Sequence, residues 1–377
     1  YPFEQFAVVE NSFPTGYGFP SFTLLGRRVL QLPFIIHTSL GHEIAHCWWG
    51  NGVLVDAAQG NWSEGLTTYV ADYLYKEQRG KGREYRLQWL RNYAGLVHRN
   101  NNFPISEFMS RTDPLTKVVG YDKAAMVFHM LRQKVGEEAF WDALREIYAR
   151  YRFKSITWSD FQAVFEERSG MVLAPFFRQW VFRSGAPKLA FSKVTRVATD
   201  QGFEISGSVM QGTPYYDLPL ELELETDQGT TLHRIHVSGA QTPFAITVDR
   251  PPHRLTADPD VHLFRRIYPQ ELPPTINRIK GADSVLVVVS GDLEGPWWAI
   301  ARRLVAALGL KRDTPIVQEG EVSDAFLKSH DLLWVGRPGE QRWIPRAFSN
   351  FSMNDQVIQI GGHTCPRDTF TLFGVFE

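Results

Sequence analysis

His42-Glu43-Ile44-Ala45-His46 sets two imidazoles four positions apart, with a carboxylate beside the first. On a helix the two rings stand one turn apart on one face, so both can reach a single metal ion. A zinc ion held by two histidines takes a third protein ligand and keeps one position open for water, and Glu64, eighteen positions beyond His46, can supply that ligand. The centre would then be catalytic rather than structural. A competing reading makes His42 and His46 core histidines and Glu64 the partner of a helix cap at Asn61, because Asn-x-x-Glu opens many helices without any metal. It requires three coincidences where the metal centre requires one cause.

His-Glu-x-x-His followed after eighteen positions by Glu64-Gly65 resembles the aminopeptidase N family of zinc metallopeptidases, gluzincins with a thermolysin-like catalytic domain. Val9-Glu10-Asn11 is similar to the end of that family's Gly-x-Met-Glu-Asn segment, and Gly120-Tyr121-Asp122-Lys123-Ala124 to its Tyr-x-Lys-Gly segment. Residues 125–187, with Gln179-Trp180-Val181 and Gly185-Ala186-Pro187, resemble the close of its catalytic domain, so the likeness covers about the first half of the chain. It implies a peptide substrate and one zinc ion per chain on His42, His46 and Glu64. Glu43 would take a proton from the zinc-bound water and hand it to the leaving amine. By the same resemblance Tyr121 donates to the oxyanion, and Glu10 binds the free amino terminus so that only the first peptide bond is cut. A buried ammonium without a partner is costly, which makes one carboxylate a strong discriminator.

Two other readings stand beside the aminopeptidase. One is a zinc endopeptidase or other amide hydrolase with Glu10 merely structural. The other is a non-catalytic peptide-binding or assembly protein that keeps the fold. The sequence departs from the family pattern at Ala7, which replaces Gly, at Val8 and Val9, and at Ser63, where Asn is usual before Glu-Gly. A Cβ at position 7 narrows the space beside that strand. The family usually has a large β domain before this point, so a chain opening on Tyr1-Pro2-Phe3 reads as a piece of a longer protein.

The elements that must carry these residues follow from patterning. Residues 6–11 and 17–25 read as strands joined by a turn at Pro14-Thr15-Gly16, then a helix over 35–49 carries the histidines and one over 62–77 carries Glu64. Spacing is helical over 83–98 and 120–183, a lobe closing a cleft over the zinc, with Tyr121 in the first turn of a helix. The fold class is α+β and multidomain: a mostly helical peptidase domain over 1–187, a β-sandwich over 188–268 and an α/β domain over 275–377. The sandwich rests on period-two stretches at 218–225, 232–237 and 244–248, whose alternating Glu row reads as a solvated face. Pro269, Pro273 and Pro274 mark a linker, and beyond them strand and helix alternate as in a parallel layer, with strands at 284–289, 315–318, 332–335, 357–360 and 370–376. Ser290-Gly291-Asp292-Leu293-Glu294-Gly295 matches neither dinucleotide nor P-loop spacing and reads as structural.

Composition excludes several classes. With 44% hydrophobic and 21% charged residues the 377-residue chain can bury sizeable cores, and a net charge of −1 leaves no basic footprint for nucleic acid. No apolar run approaches the ~18 residues of a membrane span. Cys47 and Cys365, far apart, make neither a disulfide framework nor a cysteine metal cluster, and Cys47 reads as a small buried hydrophobe.

Overall fold

Short aromatic and β-branched runs separated by Gly and Pro build the first sheet of the computed structural model. The structure describes residues 1–268 except 14 and 99, and beyond them mainly 284–290, 295–336 except 312, 351–353, 357–360 and 363–366. Strand β1, Ala7–Asn11, and strand β2, Gly16–Phe19, flank β3, Phe22–Gly26; β1 pairs in parallel and β2 antiparallel. The expected strand over 17–25 is therefore two strands. Pro20 has no N–H for a ladder and Ser21 turns with φ 67°, which folds Phe19 back onto Phe22 with 4.8 Å between rings.

Helix α1, Ser39–Ala45, carries His42 and has His46 as its C-cap. The expected helix over 35–49 is broken at Thr38, whose φ of −139° and ψ of −113° are not helical, so Ile35–His37 is a separate 3-10 turn. Strand β4, Leu54–Val55, follows and pairs in parallel with β5, Ser155–Ile156. Ser63–Thr67, a π-helical stretch Thr68–Tyr73 and Leu74–Glu77 run end to end as α2. After α3, Gly82–Leu96, the segments Pro114–Lys117, π-helical Val118–Lys123 and Ala124–Val135 form α4 in the same way.

Helix α4 starts at Pro114 and not near 120, because Asp113 caps it. The Asp113 carboxylate accepts from the Thr116 N–H at 2.8 Å, the Thr116 hydroxyl accepts from the Asp113 N–H at 3.1 Å, and Pro114 occupies the first turn. Tyr121 consequently lies inside the helix rather than in its first turn. From Ala124 to Leu131 every residue of α4 is buried, the mark of a helix enclosed on all sides. Helices α5, Glu137–Tyr151, α6, Trp158–Ser169, and α7, Ala174–Trp180, complete the helical part. Trp62, Trp158, Phe128 and Phe161 are buried and pack together, Phe128 stacked on Trp158 and Phe161 edge-on to Phe128 and Trp62, and Cys47 is buried as expected.

Two three-stranded antiparallel sheets follow within the same compact unit, Tyr1–Ile267. One holds β6, Leu189–Thr199, β7, Gly202–Gln211, and β10, Gln241–Val248; the other holds β8, Leu218–Thr226, β9, Gly229–Val237, and β11, Arg254–Ala257. Leu218, Leu220, Leu222 and Leu224 are buried on one face of β8 and the Glu row takes the other, where Glu225 is part-exposed near His253 and Arg254. The Glu221 side chain, however, is only 14% exposed, paired with Arg234 and within 4.8 Å of Asp260 and His262, so the expected solvated row is covered at that end. Strands β6, β7 and β11 add to those read from the spacing. Almost every residue of β6 is exposed, so it carries no apolar alternation to read.

The second unit, Tyr268–Glu377, contains a parallel sheet with β12, Val285–Val289, between β13, Ile316–Gln318, and β14, Asp331–Val335. Helices α8, Pro296–Leu308, and α9, Asp324–Ser329, alternate with these strands. All five residues of β12 are buried, as a central parallel strand requires. The strand expected at 357–360 exists as β16, but it pairs antiparallel with β15, Phe351–Met353, and β17, His363–Pro366, in a sheet of its own. The linker prolines, residues 291–294 and the strand expected at 370–376 lie outside the described residues. Among the described residues no helix is long and apolar enough to cross a membrane.

Helices α2 and α4 touch where a Cβ on Gly65 would come within 2.3 Å of the Ala124 Cβ. Gly65→Ala should therefore destabilise the first unit by about 1–3 kcal/mol in a denaturant titration, the usual cost of overpacking. A change below about 0.5 kcal/mol would mean that this contact is slack.

Candidate metal centre

The last turn of α1 and the first turn of α2 meet at three polar atoms. His42 Nε2 and His46 Nε2 each lie 3.3 Å from Glu64 Oε2, and the three potential ligand atoms all fall within 4.8 Å of one another. The rings stand 80° apart in plane, so their nitrogens approach one point from two directions. Each ring's other nitrogen has its own acceptor: His42 Nδ1 is 2.8 Å from Asp72 Oδ2, and His46 Nδ1 is 2.9 Å from the Trp49 carbonyl. Donation from Nδ1 selects the tautomer whose Nε2 lone pair is free for a metal. Asn61 accepts from Ser63 at the start of α2, yet Glu64 turns to the imidazoles and not back to Asn61. The helix-cap reading of Glu64 therefore does not describe this geometry.

Helix α2 delivers Glu64 and Asp72 to opposite nitrogens of the same ring, and its π-helical stretch is the reason. Eight residues along an unbroken α-helix leave two side chains about 80° apart around the axis. A π-turn absorbs one extra residue, which removes about 100° and brings both onto one face. Asp72 was not singled out from the sequence; its signal was a carboxylate two turns beyond Glu64, legible only to a reader who knew where the helix widened.

Glu43 is buried, with 7% of its surface exposed, and β2 lies directly on it. A Cβ on Gly16 would meet Glu43 Oε1 at 2.5 Å, and one on Gly18 would meet Glu43 Oε2 at 3.0 Å and His46 Cβ at 2.9 Å. Only glycine lets the strand backbone come so near. Burial raises the Glu43 pKa, against the pull of His42 and His46, which makes the carboxylate a better base. Tyr121 stands with its ring parallel to that of His42 at 6.2 Å and edge-on to Phe108 at 5.9 Å. Burial, followed by the charge and hydrogen bond of Glu64, raises its pKa, so the phenol keeps its proton at neutral pH.

Glu10 is not brought to this group. It lies on β1, with β3 between it and β2, and its half-exposed carboxylate accepts from Arg27 at 2.8 Å. The structure thus gathers His42, His46, Glu64, Glu43 and Tyr121 and leaves Glu10 on a surface ion pair.

Residues 35–180 match the Peptidase family M1 domain. Aminopeptidase N of Escherichia coli (strain K12) is 25% identical over 212 residues, 52% of this chain and 24% of that protein. Aminopeptidase M1-D of Oryza sativa subsp. japonica is 28% identical over 156 residues, 40% of this chain and 18% of that protein. The first half of the chain resembles the aminopeptidase N family. A structure of Legionella pneumophila aminopeptidase A in complex with aspartic acid superposes with a TM-score of 0.54 at 17% identity, covering 72% of this chain and 32% of that one, which is a likeness of fold. This aminopeptidase N-like chain spans less than a quarter of the length of either curated relative.

Burial alone would lower the His42 pKa, but the carboxylates of Asp72 and Glu64 outweigh it and hold the value well above the ordinary histidine range. Glu64 is likewise opposed by burial, yet its hydrogen bonds to His42 and His46 hold it far below the usual carboxylate range. Both shifts favour a protonated His42 beside an ionised Glu64. Below the raised His42 pKa a metal must displace that proton, so apparent affinity should fall as pH falls. Calorimetry at pH 7 in buffers of different ionisation enthalpy should record about one proton released per metal bound; no release would contradict the assignment. Asp72→Ala should weaken metal binding by about 10–100-fold in a competitive chelator titration.

Proposed function

We propose that this chain is a zinc-dependent metallopeptidase of the aminopeptidase kind, hydrolysing the N-terminal peptide bond of peptides. The observation that carries the reading is the convergence of His42 Nε2, His46 Nε2 and Glu64 Oε2, with Glu43 and Tyr121 beside them. Two imidazoles and one carboxylate fit zinc, and three protein donors are the complement of a catalytic site. His42, His46 and Glu64 would hold one ion per chain. When bound, zinc lowers the pKa of water toward ~7 and polarises a carbonyl.

The chain's own residues do the rest. Asp72 and the Trp49 carbonyl hold the two rings in orientation. Glu43, made more basic by burial, takes a proton from the attacking water and returns it to the leaving amine. The Tyr121 hydroxyl, kept protonated, donates to the oxyanion as the carbonyl is attacked, a contact worth about 3 kcal/mol where such donors have been removed. In the aminopeptidase reading a carboxylate binds the substrate's ammonium, and Glu10 takes that role on leaving Arg27.

The ion pair of Glu10 with Arg27 and the bare glycines of β2 beside Glu43 favour one second reading, an endopeptidase or other amide hydrolase in which Glu10 is structural. The non-catalytic reading has no such observation behind it. The three-part architecture, a thermolysin-like domain over 1–187, a β-sandwich over 188–268 and an α/β domain over 275–377, is supported by the two half-buried antiparallel sheets and the parallel sheet.

Glu43→Gln should bind zinc as the unsubstituted chain does and lose turnover by at least about 100-fold; retained activity would remove the general base. Aminoacyl amides should be cleaved faster than their N-acetylated forms if the amino terminus is recognised. Equal rates would favour the second reading, and Glu10→Gln would then leave both rates unchanged.

A further inference from the structure

Lys117 and Asp122 are five residues apart, which on an α-helix sets them about 140° apart around the axis. Here Lys117 Nζ meets Asp122 Oδ1 at 2.5 Å, because the turn Val118–Lys123 between them is wound as a π-helix and residues five apart come to stack. The second Asp122 oxygen accepts from Asn92 Nδ2 of α3 at 2.7 Å. Only 1% of the Asp122 side chain is exposed, so the carboxylate is costly unless both partners stay. Gly120 of the same turn lies flat against Phe108, whose ring a Cβ would meet at 2.3 Å. Tyr121 follows directly. Rewinding the turn to α geometry would rotate one end of α4 by about 100° against the other. Lys117 would then part from Asp122, and the Tyr121 ring would leave its place parallel to His42.

We propose that Asp122, clamped between Lys117 and Asn92, is a positioning residue for Tyr121. The ion pair can form only in the wide turn, so it selects that turn, and the wide turn aims the phenol at the His42, His46 and Glu64 cluster. The catalytic consequence rests on the peptidase reading above; the conformational one does not.

Two variants test it: Asp122→Asn, and Lys117→Met at the part-exposed end of the pair, which keeps the test available should the buried change unfold the chain. With 3-fluorotyrosine at position 121, the fluorine resonance of the metal-free protein should move in each folded variant. The shift induced by zinc should fall to about half or less while zinc affinity stays within about threefold. An unmoved resonance in folded Lys117→Met overturns the proposal. In turnover, each variant should lower kcat by at least about tenfold with KM within about twofold, and the same change made in Tyr121→Phe should lower it by less than about twofold. An equal factor in both backgrounds also overturns it. If the unsubstituted chain has no turnover while the resonance moves as stated, the peptidase reading fails and the positioning role stands.

Discussion

Two imidazole nitrogens and a carboxylate oxygen held within 4.8 Å of one another are the constraint around which the first half of the chain is built. Such groups are expensive to withdraw from water unless each has a partner. Their neighbours supply partners one by one: Asp72 and the Trp49 carbonyl for the outer ring nitrogens, and the imidazoles themselves for Glu64. Against burial, the carboxylates of Asp72 and Glu64 favour the charged form of His42 and the imidazoles favour the charged form of Glu64, which is why the His42 and Glu64 pKa values are driven in opposite directions.

The local irregularities of the fold serve that arrangement. Both helices that supply site residues besides α1 carry a π-helical stretch, one bringing Glu64 and Asp72 onto one face, the other turning Tyr121 toward His42. A wide turn is rare on a helix and has to be held by its surroundings. Close packing of Gly65 on Ala124, of Gly120 on Phe108, and of the stretch of α4 buried from Ala124 to Leu131 supplies that hold. Strand β2 contributes by what it lacks: with no Cβ at Gly16 or Gly18, its backbone can lie against Glu43, which is buried.

Much of the frame was legible beforehand. The histidine spacing, the start of α2 near Asn61, the buried apolar positions of α4 and α5, the alternating β8 and the uniformly apolar β12 each have a period or a composition that only one element satisfies. Where the reading failed, local pattern was silent or a single residue decided: Ser21 in a left-handed turn splitting one strand into two, Asp113 starting α4 early, and β6 exposed on nearly every residue. The likeness of Val9-Glu10-Asn11 to a family segment gave no spatial information, and Glu10 stands on Arg27, across a strand from the strand that touches Glu43.

By itself, the sequence determined that His42 and His46 could share one metal ion with Glu43 beside them, because one-turn spacing on a helix is a local property that survives any tertiary arrangement, whereas Tyr121 was marked only by resemblance to a family segment. The tertiary structure alone decided that Glu64 meets both rings, that Asp72 backs one of them, that glycines roof Glu43 and that Tyr121 faces the cluster. Those relations join residues up to about eighty positions apart, through the lie of β2 on α1, two π-turns and the packing of α2 against α4. The gain or loss of one residue in a helical turn would change the places of Asp72 and Tyr121 without altering the pattern of any single segment.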